Sequence, residues 1–303
     1  MSKYAFFLGC TTPAKVPQYE LASRWICRYF DIELIDIEDF VCCGINQVNL
    51  SMEAGLLMAA MNLALAEAEG LDILTLCAAC TGALAEAIEK LEKETVRKKV
   101  NEKLQKINLE YRGDVKVRHI SRIFYEDIGT ERIKSEVNSV RNSISNGVKR
   151  NLFGLRVAPH YGCHYLRPKS AFAGFEEPDN PRTLHQLISA TGAYPVEYET
   201  LGICCGGKVF PVSEELANSL VQEKLNNLRD ENVDAIVLQC QTCYLMYCGQ
   251  QKEINERDSK HYHLPVLLYP QLLGLALGAH PTKDLGLDRH EIAVDKVLDK
   301  IAK

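Results

Sequence analysis

Ten of the 12 cysteines in this chain fall into two sets of five, arranged in the same order in the two halves. The first set is Cys10, then Cys42-Cys43-Gly44, then Cys77-Ala78-Ala79-Cys80. The second is Cys163, then Cys204-Cys205-Gly206, then Cys240-Gln241-Thr242-Cys243. The gaps nearly match, with 31 and 40 residues before the pair and 33 and 34 after it. Such a pattern requires an internal duplication that builds two similar thiolate sites. It also limits the fold: each half must bring three separated segments of its own chain to one place.

Strand and helix patterns alternate around these cysteines. In the first half, strands are expected at residues 4–8, 33–37 and 71–76, each leading toward a cysteine motif. Helices are expected at 19–30, 53–69 and 81–91, from apolar residues at helical spacing. The second half repeats the order, with strands at 155–161, 194–199 and 233–238 and helices at 181–191 and 214–231. Asn180 is the expected cap of the first of these helices, with Pro181 in its first turn, and Ser213 caps the second. The acidic and basic run 86–106 reads as a solvated helix face. The alternation argues for an α/β protein of two pseudo-symmetric Rossmann-like halves, with parallel strands and flanking helices. Sites in such sheets form beyond the carboxyl ends of the strands. The cysteines would then lie near helix N-termini, which favour negative charge. The polar stretch 130–152 suggests a boundary, giving halves 1–148 and 149–303. A tail follows, with a strand at 266–269 and helices at 270–277 and 291–301, to be packed over either half.

At 303 residues the chain is long enough for two compact units. Its net charge of −5 gives no electrostatic case for nucleic acid or an anionic membrane. No apolar run is long enough for a transmembrane segment. The N-terminus reads as a buried strand and lacks an export signal, so a cytoplasmic, reducing setting is expected. There, abundant cysteine argues for metal or redox chemistry rather than structural disulfides. Four thiolates suit one zinc ion or one ordinary iron–sulfur cluster. Five per half, two of them adjacent, suit an extended cluster better, because neighbouring sulfurs can bind different irons. Soft thiolates favour iron–sulfur clusters. The flanking Gly9, Gly162, Gly44 and Gly206 would let backbone approach a bulky core. Zinc and thioredoxin-like Cys-x-x-Cys chemistry remain alternatives. Cys27 and Cys248 fall outside the pattern and read as buried thiols.

The twice-occurring Cys…Cys-Cys-Gly…Cys-x-x-Cys resembles the CCG-domain iron–sulfur proteins, in particular the family of heterodisulfide reductase B subunits. Phe6-Phe7-Leu8-Gly9-Cys10, His160-Tyr161-Gly162-Cys163-His164 and the tail from Leu264 to Gly278 carry the likeness. The CCG signature also occurs in iron–sulfur subunits serving lactate, glycerol-3-phosphate and fumarate redox enzymes. The resemblance implies two noncubane [4Fe-4S] clusters. One is held by Cys10, Cys42, Cys43, Cys77 and Cys80, the other by Cys163, Cys204, Cys205, Cys240 and Cys243. It implies an oxidoreductase of methanogenic type that cleaves a disulfide between the clusters, the mixed disulfide of coenzymes M and B or a related one. It further implies two partners within a heterodisulfide reductase complex: a ferredoxin-like iron–sulfur subunit and a flavin subunit. The alternative is a non-catalytic electron-transfer subunit of a flavin dehydrogenase. After the second pair the sequence Cys205-Gly206-Gly207-Lys208 departs from the family pattern, which leaves the substrate open. Catalytic candidates are His160, His164 and Lys208. The histidines would donate a proton to a leaving thiolate or bond a cluster sulfide, or else be satisfied by backbone. Lys208, Arg167 and Lys169 would bind anionic groups of the substrate. The loop 166–181 would cover the site or dock a partner.

Overall fold

The computed structural model describes residues 2–142, 151–172 and 174–302. It contains two four-stranded parallel sheets of identical topology. The first has β1 (Ser2–Phe7), β2 (Ile32–Ile35), β3 (Asp72–Thr75) and β4 (Val117–His119), in the order β2-β1-β3-β4. The second has β5 (Arg156–His160), β6 (Tyr194–Pro195), β7 (Ala235–Leu238) and β8 (Val266–Leu268), in the order β6-β5-β7-β8. Helices between successive strands provide the crossovers that parallel strands require. The central strands β1, β3, β5 and β7 are mostly apolar, as strands covered on both faces must be.

Most expected elements form within a few residues of the sequence reading, with four differences. The fourth strand of the first sheet, β4, has no counterpart in the sequence reading. Three residues with only a single apolar side chain among Val117-Arg118-His119 carry no strand period. The expected tail strand is its pseudo-symmetric mate: β8 completes the second sheet. The apolar helix after it, Tyr269–Ala276, packs against the helix Pro17–Tyr29 of the first half. Gly286 makes room there, since a Cβ would come within 2.8 Å of Gln18 Cβ. The tail thus belongs to one sheet and locks onto the other half. Third, the run 86–106 is two helices, Ala78–Leu91 and Glu94–Leu104, with Glu86–Lys90 and Glu94–Lys98 ion pairs on their faces. The boundary at 148/149 lies outside the described residues; part of the polar stretch before it is the helix Thr130–Asn142.

The fourth difference is a cap. The helix expected from residue 181 begins at Thr183, not after Asn180. Its orphan amides are met by a carboxylate from a preceding loop. Glu176 accepts from Arg182 N (3.0 Å), Thr183 N (2.9 Å) and the Thr183 hydroxyl. Short-range sequence signals favoured Asn180, but a buried carboxylate accepts several bonds at once. Ser213 caps Glu214–Asp230 as expected, accepting from Leu216 N at 3.3 Å. Glu176→Ala is expected to lower stability by about 1–2 kcal/mol, the usual cost of losing a cap with its partners buried. Urea denaturation would read this as a lower midpoint at unchanged slope; an unchanged midpoint would show the cap to be idle.

A candidate paired thiolate site

The ten patterned cysteines lie at the carboxyl ends of the strands. Cys10 and Cys163 follow β1 and β5 at the start of the short helices Thr11–Lys15 and Cys163–Leu166. Cys77 and Cys240 follow β3 and β7 as N-cap residues, and Cys80 and Cys243 stand in the first turns beyond them. Cys77 Sγ accepts from Cys80 N at 3.2 Å. The vicinal pairs occupy the loops that lead into the 17-residue helices Met52–Ala68 and Glu214–Asp230.

The glycines of these loops act in two ways. Gly44 and Gly206 have φ of +81° and +80°, and the following helix fills the space of a missing side chain. A Cβ on Gly44 would lie 2.5 Å from Gly55 O, and one on Gly206 would lie 3.0 Å from the Ala217 backbone. These glycines serve loop-to-helix approach, a structural reason different from room for an inorganic core. Gly9 and Gly162 do border sulfur: a Cβ would lie 3.1 Å from Cys80 Sγ and 3.6 Å from Cys243 Sγ.

Within each set the thiols form a chain of neighbours. In the second set the hydrogen bond with Cys163 drives Cys204 down to about 2, and the same contact raises Cys163. Cys205 is pushed up to about 12, first by Cys204. Cys240 falls to about 7 through Cys243, which is raised by Cys205 and Cys240. In the first set Cys43 falls to about 7 through Cys80, which is raised in turn. Cys42 is raised, by burial first and also by its neighbours Cys43 and Cys10. Crowded thiols share protons because neighbouring thiolates repel. All five can ionise together only against a concentrated positive charge. Among the described residues, no group of three or more Cys, His, Asp or Glu side chains closes on a single metal ion. Soft donors strung over five positions, with glycine backbone beside them, fit a polynuclear iron–sulfur group.

Cys27 and Cys248 are buried away from this edge. Burial pushes the Cys27 thiol up to about 12, and Cys248 hydrogen-bonds Tyr244 Oη at 3.5 Å. Both are inert buried thiols.

The two sets converge on one seam. Lys208 Nζ donates to Asn46 Oδ1 at 3.0 Å, and each of these residues stands three places after its own vicinal pair. Lys208 also favours the thiolate of Cys43 across the seam. His164 faces Gly82 of the first half, whose Cβ would lie 3.9 Å from His164 Nδ1. Burial, then Lys208, lowers the His164 imidazole below its usual value. Tyr19 lies fully buried between the halves; after burial, its hydroxyl is raised by Cys240 and Cys77, one from each set. That hydroxyl has no hydrogen-bond partner among the described residues.

His160 is elsewhere. It is 3% exposed, its ring packs 4.9 Å from Tyr247, and its Nδ1 lies 3.4 Å from Lys224 Nζ. Burial pushes it well below its usual value, so it is a neutral imidazole behind the second set. It and Cys204 feel each other's charge, which places the imidazole against the second thiol set. Arg167 and Lys169 are occupied by Asp179 and Glu177 on the exposed loop. That loop spans the halves: Phe175 packs on Tyr125 and Tyr165, and Arg122 donates to Phe172 O at 3.4 Å. Phe172 also borders Gly82 beside His164, since a Cβ there would lie 3.9 Å from its ring.

Sequence reasoning missed Tyr19, Asn62 and Lys224. Asn62 accepts from Val41 N (2.8 Å) and donates to Cys42 O (3.3 Å), so it holds the first vicinal pair in place. Aligning the two halves would have flagged Asn62 and Lys224, since both are the eleventh residue of their helix.

The cysteine-rich CCG domain model matches residues 4–85 and again 157–247, the two regions that carry the thiol sets. The B subunit of a ferredoxin/F420H2-dependent CoB–CoM heterodisulfide reductase from Methanosarcina acetivorans is 35% identical over 99% of this chain and 97% of its own. The chain belongs to the CCG-domain family of heterodisulfide reductase B subunits. The 8-methylmenaquinol:fumarate reductase membrane anchor subunit of Wolinella succinogenes is 31% identical over 97% of this chain and 99% of its own. Among solved structures, a hypothetical protein from Helicobacter pylori shares the fold at a TM-score of 0.73 and 18% identity. The match covers 97% of this chain and 52% of that one. This CCG-domain protein has no helix, among its described residues, long and apolar enough to cross a membrane.

Proposed function

We propose that the chain is the disulfide-reducing component of a heterodisulfide reductase-like complex. Cys10, Cys42, Cys43, Cys77 and Cys80 would hold one noncubane [4Fe-4S] cluster, and Cys163, Cys204, Cys205, Cys240 and Cys243 the other. Bound there, the clusters would supply one-electron chemistry at iron that a sulfur ligand can reach. The observation that carries this reading is convergence: two thiol sets built on separate sheets meet at a seam bridged by Lys208 and Asn46. A disulfide lying along that seam would touch both sets at once.

The chain's own residues would do the rest. Lys208, exposed and bonded to Asn46 across the seam, is suited to hold an anionic group of the substrate or to balance a forming thiolate. His164, with its pKa lowered, keeps a neutral imidazole at pH 7 that accepts or relays a proton. Gly82 and the Ala78–Leu91 helix give His164 its wall. The partners would be a ferredoxin-like iron–sulfur subunit and a flavin subunit, and the site of action the cytoplasm. The substrate is a disulfide such as that of coenzymes M and B, for which the Methanosarcina relative is named.

A second reading, an electron-transfer subunit, is favoured by the Wolinella relative, named as part of a fumarate reductase. One experiment separates them. Protein purified without oxygen is expected to carry iron and acid-labile sulfide, to cleave the disulfide when chemically reduced, and to change its cluster spectrum when thiols are added. Iron and sulfide without cleavage or spectral change would leave the relay. Stoichiometric zinc with little iron would remove both.

A further inference from the structure

The two thiol sets are not electrostatic equals, and the difference lies beneath them. Helices Met52–Ala68 and Glu214–Asp230 are pseudo-symmetric mates: same length, serine caps at Ser51 and Ser213, and a small residue (Gly55 or Ala217) packed on the glycine after each vicinal pair. Their eleventh residues, Asn62 and Lys224, are both 0% exposed. Asn62 ties the first loop with neutral hydrogen bonds to Val41 N, Cys42 O and Met58 O. Lys224 ties the second with a charge. It donates to Thr200 O, to Leu201 O at 3.1 Å and to Tyr198 Oη at 3.4 Å, with His160 Nδ1 at 3.4 Å. Its ammonium also stands 5.0 Å from the centre of the Tyr198 ring. The residue three places before the lead cysteine follows the same split. It is Phe7, packed on Phe40, in the first half and His160 in the second.

Every one of these partners is neutral. Among the described residues, Lys224 makes no salt bridge with a carboxylate; Glu223, its neighbour in sequence, is exposed. Buried cations are normally paired, because an unpaired charge loses most of its hydration. Burial pulls the Lys224 ammonium down to about 7, and the negative groups that act against burial are first Cys243, Cys205 and Cys204, with Glu223 last. Leu201, whose carbonyl accepts from Lys224, stands three places before Cys204, so the second thiol set is the anionic group this side chain backs.

We infer that Lys224 is a positioning residue that biases the second site toward negative charge, so that a cluster held there is reduced before one held by the first set. This rests on the proposal that both sets hold iron–sulfur clusters. The seam then has a direction: the second side is the first to carry the added electron, and the first side, backed by Asn62, follows.

The test uses the full chain, loaded and titrated anaerobically with spectroscopic detection. Two background variants isolate the sites: Cys42→Ser with Cys43→Ser leaves the second, and Cys204→Ser with Cys205→Ser leaves the first. Lys224→Met and Lys224→Gln both remove the charge, and the glutamine keeps a donor for Thr200 and Leu201. Each is expected to shift the reduced-to-oxidised ratio of the second site at least tenfold toward oxidised, a fall of about 59 mV for one electron. The first site should not move. If Lys224→Met does not fold, Lys224→Gln carries the measurement. An unchanged second-site potential, or equal shifts at both sites, overturns the inference while leaving the cluster assignment intact. Wild-type protein without iron and sulfide brings down the assignment and the inference with it.

Discussion

Serine at Cys204 or Cys205 is expected to strip the second site of its iron and sulfide while the first stays loaded. Serine at Cys42 or Cys43 should do the reverse. The reason is ligand chemistry and geometry together. A hydroxyl is a harder donor than a thiolate and stays protonated at neutral pH, so it binds iron–sulfur cores poorly. The vicinal residues also sit mid-chain in the sulfur sequence, between Cys163 and Cys243 in the second set and between Cys10 and Cys80 in the first. Removing one breaks the run. Iron and acid-labile sulfide should each fall to about half the wild-type content, because the duplicated sites are independent in ligand supply. Cys27→Ser is the control. That thiol is 0% exposed and stands apart from the strand ends, so the variant is expected to keep all its iron. It would lose roughly 1–3 kcal/mol of stability for burying a hydroxyl. Metal analysis beside the electronic spectrum checks the set, and equal iron loss in all five variants would break the ligand assignment.

The second large effect comes from a backbone. Gly44→Ala is expected to cost about 3 kcal/mol or more. A side chain at φ +81° costs about 1–2 kcal/mol by itself. The new Cβ would also lie 2.5 Å from Gly55 O, a backbone atom of the next helix that cannot swing aside. Gly206→Ala has the same φ penalty but meets Ala217 at 3.0 Å, so it should be milder. Gly70→Ala, with φ +66° and nothing within 4 Å, measures the conformational part alone. The order Gly44, then Gly206, then Gly70 in denaturation midpoints is the check. If Gly44→Ala matched Gly70→Ala, close approach of the Gly55 backbone would have no energetic weight. Because Asn62 fixes the same loop through Val41 N and Cys42 O, Gly44→Ala should also reduce iron in the first site selectively.

Several elements were readable before any fold was known. The helix Glu214–Asp230 with its Ser213 cap, and the apolar strands β1, β3, β5 and β7, follow from local period and capping chemistry. β4 did not, because three residues held by pairing with β3 need no pattern of their own. The helix at Thr183 starts where a carboxylate seven residues back meets it, outside the reach of the N-cap pattern that pointed to Asn180. Among the candidate site residues, Lys208 and His164 arrive at the seam, whereas His160 is drawn beneath the second set by Lys224. Lys224 falls on the apolar stripe of its helix with Ala217, Val221 and Leu228. Only packing reveals that its head is enclosed.

The sequence by itself determined that the chain is duplicated, that each half alternates strand and helix, and that each ends its strands in five thiols. Spacing and residue type carry that information, since both are properties of the chain alone. Tertiary structure decided that the two sets share one seam, that the tail joins one sheet while gripping the other half, and that a cation lies under one set and an amide under its twin. Those facts depend on which surfaces meet. Burial encloses a plain lysine among the carbonyls of Thr200 and Leu201 and pulls its ammonium down to about 7, and burial is a property of the folded whole.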